Sequence, residues 1–444
     1  MGPVRDDTRE IQGYASATSV GHGEQIRFHV SVCAAPLFRV AVHRLGHYGG
    51  LGGRLMVMSP WLEGVVQAPP DRDPDSRLVA CAWEPSWSLD VPADWLSGLY
   101  VAVFVSETGH RSCTPFVVRE PERRSDVLVV LPFTTYAAYN AWPLDGETGT
   151  SLYQGYGEPG RLGGGAARAD KVSFDRPYSH DGVPRLFEMD SSFVRWAEEA
   201  GYDVTYASGV DLHEGRVDPA RHRALVFPGH DEYWSGEMVR AAGRAVAGRT
   251  HLAFLGANNV YWNARLEPSA SGAPHRTVAC YKDRPDPAPD GDGPTTLWRD
   301  VGPGRAKAEQ GLLGVQYNGI VDAPRPLVVR EAHHWLWAGT GLWNGDELPG
   351  LVGGEADGLD LTPGTPRPAG AEVTLLSASP YRYKNHGGKR DVTRVQNTAL
   401  TRHPDGTLVF VAGTFHWPLA LTVPKYRNEH VRTVTRNLLA RMLA

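Results

Sequence analysis

The chain is poor in the features that mark the commoner functional classes. Its 444 residues include only four cysteines. They stand at positions 33, 81, 113 and 280 with no Cys-x-x-Cys pair, so neither a disulfide framework nor a thiolate metal site is expected. No apolar run is long enough to cross a bilayer, and "MGPVRDDTREIQGY" lacks the apolar core and cleavage site of a leader, which predicts a soluble, cytoplasmic protein without a membrane partner. The Met-Gly start fails as a myristoylation signal at Asp6, where serine or threonine is required. Lys and Arg number 45 against 50 Asp and Glu, a net charge of −5, and form no basic stripe, which argues against nucleic acid as a partner. No Gly-x-Ser-x-Gly elbow occurs. The glycine-dense "HRLGHYGGLGG" (43–53) is not followed by Gly-Lys-Ser/Thr, so it reads as a loop at a sheet edge and not as a phosphate cradle.

What is present divides into two grammars. From Ile11 to about Val118 short alternating runs ("QIRFHVSV", "FRVAVHRL", "GLYVAVFVS") are separated by Gly, Pro, Asp and Ser clusters, which predicts an antiparallel β-sandwich over residues 1–122. The charged joint "VREPERRSD" (Val118 to Asp126) then leads into "DVLVVLP", a continuously apolar run suited to a strand covered on both faces. Helical patterns in "RLFEMDSSFVRWAEEAG", "SGEMVRAAGRAVAGR" and "NEHVRTVTRNLLARML" alternate with the apolar runs "ALVF", "HLAFLG" and "TLVFVAG". That alternation predicts an α/β domain with a mostly parallel sheet over 123–444. The Pro-, Gly- and Asp-rich span from Ser271 to Pro368 is expected to form loops and small insertions over the site.

Parallel sheets present their chemistry at the carboxyl ends of the strands. Three predicted strands end there in polar, aromatic clusters: "FTTYAAYNAW", "PGHDEYW" and "ANNVYW". Taken singly, a tyrosine beside Trp142 or Trp234 reads as an amphipathic core edge, and Asn258-Asn259 as a turn pair. Glu232 differs, because a carboxylate at the mouth of such a sheet, two residues from His230, is a functional pattern. Tyr178 follows in "VSFDRPY", where Pro177 pins the backbone.

The motifs "TYAAYNAW", "SLYQGY", "VSFDRPY", "FPGHDEYW", "LGANNVYW", "CYKD" and "LVGGEAD", in that order, resemble the large (β) subunit family of N,N-dimethylformamidase over most of the chain from Val127 onward. The resemblance implies a sandwich followed by a glutamine-amidotransferase-like α/β domain. It also implies hydrolysis of an amide or related C–N bond at one mononuclear iron per chain, held by two tyrosines and a glutamate with a histidine close by. Carried over by motif, the ligands are Tyr139, Tyr178 and Glu232, with Tyr136 as the alternative phenol and otherwise a substrate-facing group. His230 and Glu355 become the candidate proton-transfer groups, and Asn258 and Lys282 orient the substrate or stabilise an oxyanion. The implied partners are a small amide-like substrate and a homo-oligomer, with a separate small subunit known in that family. Two phenolates and a carboxylate are hard anionic donors that suit ferric iron.

Two rival readings share these residues. His230 and Glu232, with His334 or His416, would make the 2-His-1-carboxylate set of an iron oxygenase. Alternatively, the aromatic clusters, from a chain with 13 tryptophans, would form a carbohydrate- or peptide-binding platform without catalysis. Cys280 is the cysteine outside the sandwich that a cysteine-nucleophile reading would need.

Overall fold

A computed structural model describes residues 10–33, 35–383 and 392–444. Strands predominate over helices, and parallel and antiparallel pairings both occur. The strands between Ile11 and Arg119 pair antiparallel, apart from the parallel contact of Ser19–Gly21 with Arg111–Arg119. They make a three-stranded sheet of Ile11–Ala15, Gln25–Val32 and Trp87–Asp90, and a six-stranded sheet built around Leu37–Leu45, Gly98–Ser106 and Arg111–Arg119. In Gln25–Val32 the alternation buries Ile26, Phe28, Val30 and Val32 and exposes Gln25 and Arg27. Inward residues of both sheets share one core, where Phe28 packs edge-on against Phe104 and Phe116. The glycine-dense 43–53 segment is the connection between Leu37–Leu45 and Gly53–Met58, tightened by a single 3-10 turn.

After Arg119 the pattern changes. Seven strands line up in the order Val204–Ser208, Val127–Leu131, Ala224–Phe227, His251–Phe254, Leu408–Val411, Ala399–Arg402 and Glu372–Leu375. The first five run parallel, and the last two form an antiparallel margin. Val127–Leu131 is buried throughout because both faces are covered. Val127, Val129 and Leu131 join Phe193, Trp196 and Leu438 of helices Phe187–Glu199 and Glu429–Met442. Leu128 and Val130 join Met238 and Ala242 of helix Gly236–Ala247 on the other side.

The span from Ser271 to Pro368, expected as loops, contains short ribbons. Gln316–Ile320 pairs with Glu355–Gly358, and Arg325–Val328 with Glu347–Val352, each with a register shift. Strands this short, interrupted by bulges, give too little alternation to read among prolines and glycines.

The six-stranded sheet is fastened to the parallel sheet's helical layer. Its residues Leu99 and Val117 enter the same core as Phe193 and Trp196. Arg44 of strand Leu37–Leu45 grips Glu198 of helix Phe187–Glu199 with two bonds of 2.6 and 3.1 Å while also donating to Ser97 O. Side-chain exposures of 7% for Arg44 and 17% for Glu198 leave the guanidinium little water to fall back on. Glu198→Ala is therefore expected to cost about 2–4 kcal/mol in denaturant unfolding, less than a fully buried pair because the carboxylate is partly wet. A loss below about 0.5 kcal/mol would class the pair with ordinary surface ion pairs.

Candidate functional site

Three adjacent parallel strands deliver the site. Val127–Leu131 runs through Pro132 into helix Phe133–Tyr139, Ala224–Phe227 into the turn carrying His230 and Glu232, and His251–Phe254 into the turn carrying Asn258. Gly256 lets the last two turns touch: a Cβ there would lie 2.2 Å from Gly229 O. Thr135 Oγ1 accepts the backbone N–H groups of Glu232 (2.9 Å) and Tyr233 (3.3 Å), and Thr134 Oγ1 donates to Tyr233 O at 2.8 Å. The helix that bears Tyr139 is thereby stitched to the turn that bears Glu232.

At the centre stands the Glu232 carboxylate, 2% exposed. Tyr153 OH lies 2.6 and 2.7 Å from its two oxygens, and Tyr139 OH donates to Oε2 at 2.9 Å. His230 Nε2 approaches Oε2 at 3.1 Å, while Trp262 Nε1 and Asn258 Nδ2 donate to Oε1 at 3.0 and 3.2 Å. The two phenol oxygens are 3.2 Å apart, their rings stacked at 4.4 Å. Asn258 Nδ2 also donates to Glu355 Oε2 at 2.7 Å, bridging the two carboxylates. Lys282 donates to Leu152 O at 2.8 Å and sits 3.6 Å above the Tyr153 ring and 4.7 Å from that of Trp262. Asn258 and Lys282 both hold positive φ, 54° and 61°, a conformation uncommon for side chains of their size.

Electrostatics follow from burial and from Glu232. Burial opposes its charge, but His230, Lys282 and the Tyr153 hydroxyl hold the Glu232 carboxyl below its ordinary range. Burial likewise opposes the imidazolium, yet the hydrogen bond and charge of Glu232 lift His230 to about 9. His230 Nδ1–H donates to Ala257 O at 3.0 Å, leaving Nε2 as the nitrogen that faces the site. Glu355 is raised to about 7, by burial first and then by the neighbouring charge of Glu232. Both phenols are pushed far up by burial and by Glu232, so they remain neutral donors until a cation compensates their ionisation.

The expected residues do not all converge. Tyr139, His230, Glu232, Asn258 and Glu355 form one hydrogen-bonded group, with Lys282 against its edge. Tyr178 is not in it. Its phenol feels the charges of Arg276 and Arg176 and lines a small cleft with Phe133 and Phe174. The second phenol on Glu232 is Tyr153, from "SLYQGY", a segment whose place beside the strand ends no periodicity reveals. Tyr136, one turn earlier on the same helix, is engaged elsewhere, donating to the buried Asp190 at 2.7 Å. Thr135 and Trp262 were not singled out by the sequence.

Neither rival grouping assembles. His334 accepts Leu336 N–H, and His416 Nδ1 donates to Gly350 O and packs on Tyr426; no contact brings either to Glu232. Cys280 is a buried thiol pushed up to about 12 by burial. Trp142 and Trp234 are 2% and 0% exposed, so these strand-end aromatics offer no open stacking platform.

Among the described residues no three His, Cys, Asp or Glu side chains are placed to hold a metal. A metal at Glu232 therefore depends on the phenols. Donor oxygens 2.6–3.2 Å apart match neighbouring ligands of one small cation, since bonds of about 2.0–2.2 Å at right angles set donors about 2.8–3.1 Å apart. The donor set, hard and oxygen-rich, fits a trivalent ion.

Behind the site lie Asp190, Asp231 and Asp357, raised chiefly by burial to about 7, 8 and 7. Neither carboxyl oxygen of Asp231 makes a well-aligned hydrogen bond among the described residues, and the nearby Trp234 indole only partly offsets burial. A folded pKa raised above the unfolded value means that the folded chain binds this proton more tightly, so stability is lost as pH rises from the unfolded to the folded pKa. Asp231→Asn escapes that loss. In the metal-free protein its melting temperature relative to wild type is expected to climb from about pH 4 to pH 8, and a difference that stays flat with pH would contradict the assignment of a protonated Asp231.

Comparison with known proteins supplies the family. The curated N,N-dimethylformamidase beta subunit of Paracoccus aminophilus is 24% identical over 82% of this chain, and the chain spans only 55% of that relative's length. Among solved structures, a superoxide reductase (neelaredoxin) from Ignicoccus hospitalis aligns over 24% of this chain and 80% of its own at 10% identity and a TM-score of 0.15. A Paenibacillus cycloisomaltooligosaccharide glucanotransferase aligns over 74% of this chain and 62% of its own at 9% identity and a TM-score of 0.19. Overlaps that low carry no argument. The family model described as N,N-dimethylformamidase beta subunit-like, C-terminal, matches residues 39–430, and over that span the chain belongs to this family.

Proposed function

We propose that the chain is a hydrolase of an amide or related carbon–nitrogen bond that works with one iron ion, ferric by its donors, held by Tyr139, Tyr153 and Glu232. We read residues 1–122 and 123–444 as its two domains, the second glutamine-amidotransferase-like. The relative's name, a beta subunit, makes assembly with further chains part of the proposal. The observation that carries this reading is the buried Glu232 carboxylate with two phenol oxygens against it at 2.6–2.9 Å. A carboxylate kept ionised in a dry site beside two ionisable oxygens is a cation's ligand set waiting for its charge.

Tyr139, Tyr153 and Glu232 would hold a trivalent ion whose chemistry there would be to acidify water and polarise a carbonyl oxygen, the two requirements of amide hydrolysis. The remaining work belongs to the chain. Amide hydrolysis takes a proton from water and delivers one to the departing amine. His230, its ring oriented by the Nδ1–H bond to Ala257 O, exchanges that proton at Nε2. Glu355, near neutrality in its proton affinity, is the second relay, and Asn258 holds it 2.7 Å away against the shared donor. Lys282, its ammonium buried over the Tyr153 and Trp262 rings, brings positive charge to the side where an oxyanion or amide oxygen would lie.

Glu232→Gln should abolish iron binding while the metal-free protein still folds, and Tyr153→Phe and Tyr139→Phe should each weaken iron retention while Tyr178→Phe does not. Metal analysis after gel filtration decides this, and undiminished iron in the Tyr153 variant would remove Tyr153 from the ligand set. His230→Ala should keep its iron and lose turnover of a formamide or small amide by about 10²–10⁴-fold. The wild-type reaction should run under strict anaerobiosis with no organic cosubstrate, and activity that vanishes without oxygen would replace hydrolysis with oxygenation.

A further inference from the structure

Arg176 presents a buried charge that the proposed chemistry does not use. It belongs to "DRPY", is 2% exposed, and pairs with no carboxylate among the described residues. Burial pulls its pKa down to about 10, the mark of a cation held out of water without an acid to balance it. Its hydrogen bonds go to backbone carbonyls: Nη2 to Asn140 O at 2.8 Å, and Nη1 to Thr150 O at 3.0 Å and Trp142 O at 3.3 Å. These three carbonyls bracket the loop that separates Tyr139 from Tyr153.

The same loop is tied from other directions. Asn140 donates to Pro177 O at 2.9 Å and accepts from Ser179 N at 3.1 Å. Leu152 N–H donates to Ala138 O at 3.0 Å. Gly149 passes so close that a Cβ would stand 2.3 Å from Ala141 O. A guanidinium presents its donors in a fixed planar fork, so carbonyls bound to one fork are fixed relative to one another. Asn140 O lies one residue after Tyr139, and Thr150 O three residues before Tyr153.

We infer that Arg176, with Asn140, is a positioning residue that closes the 140–150 loop and thereby sets the spacing of the Tyr139 and Tyr153 phenols. The value of that spacing to an iron site rests on the function proposed above; the closure itself does not. A lysine retains the charge but not the fork, so Arg176→Lys should fold and yet let the loop ends part.

The test uses the full chain of wild type, Arg176→Lys and, as a control, Tyr178→Phe. In crystals of the metal-free Arg176→Lys protein, the Tyr139–Tyr153 oxygen separation, 3.2 Å in wild type, should exceed the hydrogen-bond limit of about 3.5 Å. After iron loading, the phenolate-to-iron absorption band should shift or fade and iron retention should fall about 10–100-fold, with the Tyr178 variant unchanged in both. An unchanged separation together with an unchanged band would overturn the inference and leave Arg176 a packing residue. If Arg176→Lys fails to fold, Asn140→Asp, which loses the donor to Pro177 O and keeps the acceptor, is read by the same two measures. A wild-type chain that takes up no iron would refute the metal proposal, while the oxygen separation would still decide the clamp.

Discussion

One buried negative charge organises this molecule. A carboxylate removed from water must find donors for both oxygens, and Glu232 finds them in two phenols, an imidazole, an indole and an amide. The donors come from four separate stretches of chain. The helix after the first parallel strand supplies Tyr139, the turn after the third supplies His230, and the turn after the fourth supplies Asn258 and Trp262. Thr135 and Gly256 bring those turns into contact. The parallel sheet is thus the frame that makes one anion affordable in a dry place.

That anion also sets the proton affinities around it. It lifts His230, helps hold Glu355 near neutrality, and keeps the phenols protonated until a cation arrives. Burial raises the proton affinity of a second tier of acids, Asp190, Asp231 and Asp357, so ionisation is disfavoured there relative to Glu232. Two of the site's residues, Asn258 and Lys282, hold positive φ of 54° and 61°. Local preference is overridden where side chains must point at one spot.

Much of this could be read before any coordinates. Period-two alternation announced the paired sheets before Arg119, and the apolar runs announced the parallel strands, because burial on one or both faces writes itself directly into composition. His230 and Glu232 were legible for the same reason, each standing directly after such a run, whereas Asn258 by itself read as half of a turn pair and took its role from the family resemblance. Tyr153 was not, since it lies in a bend without helix or strand periodicity, 79 positions from the carboxylate it touches. Tyr178 drew notice through its proline, but the segment's role falls to Arg176, whose partners are backbone carbonyls that carry no residue signature. The ribbon carrying Glu355 was hidden by its shortness and its bulge.

The most direct test of the account is anomalous diffraction at the iron edge from crystals of the iron-loaded chain. The account predicts a single strong peak bounded by the oxygens of Tyr139, Tyr153 and Glu232, with His230 Nε2 nearby. A peak bounded instead by Tyr178, or the absence of any peak at Glu232 in iron-saturated crystals, would contradict it.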